Sequence, residues 1–172
     1  FPELIRERPA ALEQWPEMQV EIAGGDGIHY GGSPPPEGTW KKWAEQQLGP
    51  YLELGRVRWV GHLNGDAYVH WLQSSWCHVY LTQPFVASWS LVEALACGCP
   101  LIASNVGPVR EFCTPAIATL VDSRQSGFLI EALSVVLASH MSGNRSGEPK
   151  LQLPSCYGSN AAKQSWAGLV CV

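Results

Sequence analysis

The chain has 172 residues, 46% of them hydrophobic and 15% charged, and a net charge of −4. That is enough for one core and one expected domain. The acidic balance excludes the electrostatic footprint of nucleic-acid binding, and no basic cluster points to a membrane surface.

In chain order, apolar residues first recur at helical spacing from about Glu3 to Trp15 (Leu4, Ile5, Ala11, Leu12, Trp15). Pro9 interrupts them, and an interior proline kinks a helix. Met18 to Ala23 suits a buried parallel strand, ended by Gly24-Gly25-Asp26-Gly27. A Gly/Pro loop follows, through Pro34-Pro35-Pro36. Thr39 is a plausible N-cap for a helix from Trp40 to about Leu48, stopped by Gly49-Pro50. Val57 to Val60 reads as a strand, Asp66 to about Trp76 as a helix, and Cys77 to Leu81 as a third strand. A helix from Ser88 or Ser90 to Cys97 precedes a strand over Pro100–Ala103. A helical turn holds Val109–Phe112. Ile117 to Val121 suits a fifth strand and Gly127 to Ser139 a final helix. Strands alternating with helices predict an α/β fold, three-layer and Rossmann-like, with a mainly parallel sheet. Ligands bind such sheets beyond the carboxyl ends of the strands.

From about Ser142 the chain turns rich in Ser, Gly and Asn and ends in the apolar Trp166–Val172. Residues 1–139 are expected to form the domain and 140–172 an irregular tail. No apolar run approaches the roughly 18 residues of a membrane span. The six cysteines lack metal-ligand spacing and do not suggest a disulfide framework. Reduced thiols in the cytoplasm are the expectation, with no metal and no cofactor. His29, His70, His78 and His140 have no partner pattern.

The segment Ser88–Ser104 carries the chemistry. A helix start aims backbone N–H groups and the positive end of its dipole outward, which suits a diphosphate. Ser88, Trp89 and Ser90 would supply those amides, although a Trp at a helix start also serves packing. Glu93, in the early helix, suits a ribose, because a carboxylate accepts from two hydroxyls at once. Ser90-x-x-Glu93 is equally a capping box, in which Glu93 bonds the Ser90 N–H. Thr82 and Gln83 fall at a strand's carboxyl end. Gly24-Gly25-Asp26-Gly27 suggests a phosphate loop without dinucleotide spacing.

The run Glu93-Ala94-Leu95-Ala96-Cys97-Gly98-Cys99-Pro100, continued through Gly107 and with Glu111 beyond, resembles the donor-binding half of the retaining group 1 glycosyltransferases. These are family 4 enzymes of the two-domain GT-B fold. Val20–Gly25, Val57–Leu63 and His78–Thr82 match in the family's order, from near Phe1 to about Asp122. The resemblance implies transfer of a sugar from a nucleotide diphosphosugar to an acceptor hydroxyl. It implies that Glu93 binds the donor ribose, that backbone near Leu63 reads the nucleobase, and that His62 contacts base or phosphate. It also places Gly25, Asp26 and Tyr30 beside the donor cleft, though Asp26 equally suits a turn. Phe85 departs from the family, which often carries a Glu there; a phenyl ring can stack on a sugar or wall the pocket. Arg110 and Glu111 match the loop after the next strand and can pair on the surface.

The family's Arg and Lys that neutralise the diphosphate are not matched by Arg6, Arg8, Lys41 or Lys42. An N-terminal acceptor domain, which also carries catalytic residues in the family, is not matched either. A fragment with weak nucleotide binding and little transfer by itself is therefore expected. The alternatives are a non-catalytic nucleotide-binding or protein-docking module, and half of a nucleotide-sugar epimerase.

Overall fold

The computed structural model describes residues 2–26, 38–83 and 87–142. They fall into two compact units, Phe1–Leu63 and Asn64–Val172. Phe85, Tyr30, the Pro34–Pro36 loop and the tail from 143 lie outside the described residues.

In the first unit, helix α1 (Pro2–Gln14) buries Leu4, Ile5, Arg8, Ala11 and Leu12. That spacing is one helical stripe. The helix runs through Pro9, giving up the bond that an N–H there would make to Ile5. Strand β1 (Val20–Ala23) pairs in parallel with β2 (Val57–Gly61), Val20 opposite Val57 and Ile22 opposite Trp59. Helix α2 (Trp40–Glu53) connects them. Its N-cap is the expected one: Thr39 Oγ1 accepts from the Lys42 amide at 3.2 Å. Ile5, Leu12, Ile22, Ala44, Leu48 and Val57 form the core.

The expected stop at Gly49-Pro50 does not occur, because α2 continues to Glu53. A proline disfavours helix in the preceding residue partly through that residue's Cβ, and Gly49 has none. The extra turn also lays Tyr51 and Leu52 against the core. Beyond α2 the Arg56 guanidinium donates to the carbonyls of Leu12 and Trp15, each at 2.8 Å, and of Met18 at 3.2 Å. It thereby closes the C-terminal end of α1, where carbonyls lack helical donors.

The second unit runs α3 (Gly65–Ser74), β3 (His78–Tyr80), α4 (Trp89–Ala96), β4 (Leu101–Ser104), α5 (Gly107–Arg110), β5 (Thr119–Val121) and α6 (Phe128–Met141). Its strands are parallel in the order β3-β4-β5. Every residue of the central strand β4 is buried, as expected of a strand covered on both faces. Leu72, Leu91, Leu95, Leu101 and Val109 belong to its core. The fold is thus the expected α/β class with parallel strands, its elements within a few residues of the expected ones apart from α2. Among the described residues no helix is long and apolar enough to cross a membrane.

Candidate functional site

The second unit gathers several of the expected residues around the start of α4. Leu91, Val92, Ala94 and Leu95 are buried and anchor the helix in the core. Ser88 is the N-cap, with extended backbone and no capping bond from its side chain. Its hydroxyl instead lies 2.6 Å from that of Ser90. The Ser88 amide donates to the hydroxyl of Tyr80 at 3.1 Å, so the end of β3 holds the entry to α4. The Ser90 amide, second in the helix, has no acceptor within the helix itself. Trp89 is 57% exposed.

With Ser88 as N-cap, Glu93 lies beyond the third helical position that a capping box requires. The cap reading of Ser90 and Glu93 is therefore not the one adopted. Glu93 is half-buried and follows Trp89 and Ser90 by four and three residues, which places all three on one side of the helix. Tyr68 on α3 lies within reach of its charge. Burial first, then the charge of Glu93, pushes the Tyr68 phenol up to about 12. The Tyr68 ring stacks on Trp71 with centroids 6.0 Å apart. Trp71 in turn meets His78 edge-on at 5.6 Å. Burial lowers His78 to about 4, which keeps its imidazole neutral.

Beyond the end of β3, the Thr82 amide donates to Ser104 Oγ at 2.9 Å, and Gln83 is exposed. After β4, Arg110 donates to the backbone and side-chain oxygens of Asn105 at 3.1 and 3.0 Å. Its recorded bonds therefore run to Asn105, while the expected partner Glu111 is exposed. Among the described residues, Cys77, Cys97, Cys99 and Cys113 form no disulfide with one another.

In the first unit, Gly25, Asp26, His62 and Leu63 follow the carboxyl ends of the paired strands. The Gly24 amide donates to the Gly61 carbonyl at 2.7 Å, bringing the two loops side by side. Gly24 and Gly61 hold φ of 127° and 74°, a backbone region that glycine enters without a Cβ clash. His62 is exposed and Leu63 half-buried.

Tyr68, Trp71 and Tyr80 escaped the sequence reading. The only signal for the first two was their spacing on α3, which reads as ordinary packing. Tyr80 sits in a strand where an aromatic is common.

A family model described as glycosyl transferases group 1 matches residues 3–148. No curated protein matches the chain. Among solved structures the chain is similar to sucrose-phosphate synthase from Thermosynechococcus elongatus, with 22% identity and a TM-score of 0.64, over 97% of this chain and 39% of that one. A glycosyltransferase from Rickettsia africae aligns with 11% identity and a TM-score of 0.64, over 98% of this chain and 41% of that one. HepE from Anabaena, in complex with UDP, aligns with 17% identity and a TM-score of 0.61, over 98% and 42%. At these identities the likeness concerns the fold, and the chain spans about two fifths of each structure's length.

Proposed function

The chain belongs to the group 1 glycosyl transferases, and we propose that it is the half of such an enzyme that binds a nucleotide diphosphosugar. The observation that carries this reading is Glu93, half-buried on the side of α4 that also bears Ser90 and Trp89. In this reading the Glu93 carboxylate accepts from the ribose hydroxyls, while amides at the start of α4 face the diphosphate. Charge grows on the diphosphate as the sugar leaves, and oriented amides together with the helix dipole stabilise it without reorganising. The chain's own contribution to transfer is thus to hold the donor and stabilise its leaving group.

Retention at the sugar and an acceptor hydroxyl follow from the sequence resemblance. The acceptor side of the reaction belongs to a part of the family's architecture that these residues do not match, and the two-fifths coverage of the solved neighbours supports that division. The reading calls for no metal or cofactor.

Isothermal titration with nucleoside diphosphates tests the proposal, beginning with UDP because HepE was solved with it. Binding that Glu93→Ala abolishes while thermal unfolding stays unchanged supports the donor site. Binding indifferent to that change removes it, and unfolding of the variant would assign Glu93 to structure.

A further inference from the structure

We infer that Arg8, on the buried face of α1, binds a small oxyanion, phosphate or a carboxylate, through the Nε–Nη2 edge of its guanidinium. The site belongs to the first unit and does not rest on the donor reading of α4. The Arg8 side chain is 8% exposed. Its neighbours one turn away on α1 are Leu4, Ile5, Ala11 and Leu12, all buried and apolar. Arg56 of the same unit donates to three carbonyls, whereas Arg8 has no hydrogen bond or ion pair among the described residues. Acids of the unit are engaged elsewhere: Glu13 accepts from Tyr51 at 3.3 Å, Glu21 pairs with Arg58, and Glu45 lies 3.9 Å from Lys41.

A buried charge without a partner is strongly destabilising. Burial lowers Arg8 only to about 10, so at neutral pH it stays a cation and finds no relief by losing a proton. Counter-charge from outside the chain supplies what the fold does not. Of the guanidinium nitrogens, Nη1 is sealed without a partner. The side left for a ligand is therefore the Nε–Nη2 edge, whose two parallel N–H groups match two oxygens of a phosphate or carboxylate. So little of the side chain is exposed that only an ion of a few atoms fits against it.

The test uses the full 172-residue chain at constant ionic strength, with chloride as the background salt. Thermal midpoints are read against inorganic phosphate and, separately, acetate. In the wild type one of them is expected to raise the midpoint along a saturating curve, by about 5–10 °C at 100 times its dissociation constant. The anion that acts at the lower concentration identifies the source as phosphate or carboxylate. Arg8→Met, similar in length and apolar, is expected to unfold at a higher midpoint than wild type without anion, because the unpaired charge is gone, and to lose the response. Arg8→Lys keeps the charge without the fork and should need about tenfold more anion. Arg6→Met removes an exposed charge from the same helix and should respond like wild type.

A wild-type midpoint that neither anion raises overturns the site. So does a rise that Arg8→Met shares, which marks a general salt effect. A response lost equally in Arg6→Met shows attraction to the charge of α1 as a whole and overturns it as well. Should Arg8→Met fail to fold, Arg8→Lys decides: a response at the wild-type concentration removes the fork and the site with it.

Discussion

The hydroxyl of Tyr80 accepts a hydrogen bond from the amide of Ser88 at 3.1 Å. A buried side chain at the end of β3 thereby helps set where α4 begins. Tyr80→Phe removes the acceptor and leaves the amide without that bond. The expected cost is about 1 kcal/mol of stability, with a several-fold loss of nucleotide affinity. Denaturant unfolding and titration of the same variant check both; unchanged affinity would separate the start of α4 from the proposed donor site.

Arg56 gathers the Leu12, Trp15 and Met18 carbonyls at the end of α1. Arg56→Met keeps much of the side-chain bulk and removes every one of these donors. Hydrogen bonds from a charged group are the stronger kind, so a loss of about 2–3 kcal/mol is expected. Amide hydrogen exchange should show faster opening in α1 while β4 stays protected. Uniform loss of protection would mean that the cap supports more than its own helix.

Pro50 lies inside α2 and is exposed. It has no N–H to offer Gln46, and its ring crowds that carbonyl. Pro50→Ala is expected to stabilise the protein by about 1–3 kcal/mol, read as a higher denaturant midpoint. A destabilised variant would show that the proline ring itself packs usefully.

Burial holds His78 at about 4, below its ordinary value of 6.5. Between those values the unfolded chain takes up the proton and the folded one does not. Stability is therefore intact above about pH 6.5 and falls as pH drops towards about 4, by up to about 3 kcal/mol. His78→Phe should flatten this part of the profile in a series of urea midpoints. Asp122, held near 2 by hydrogen bonds from Arg124, acts at lower pH and leaves this window clear. A wild-type midpoint constant across the window would contradict a half-buried imidazole held neutral.

The two units of the fold differ in how much of them could be read in advance. Around β4 the reading worked because a run of buried residues between a Gly turn and a polar loop has few other solutions. At α2 it stopped short: Gly49-Pro50 is a local stop signal, overridden because Tyr51 and Leu52 gain contact with the core by staying helical. Tertiary burial outweighed a local rule.

The candidate site divides along the same line. From the order of residues alone came the alternating elements, the helix start near Ser88 and the position of Glu93 within it, since helix signals act within one turn of the chain. One question stayed open: which serine caps α4. The answer comes from a tyrosine on another element, Tyr80 on β3. A hydrogen bond between elements depends on how those elements pack, and no local pattern encodes that distance.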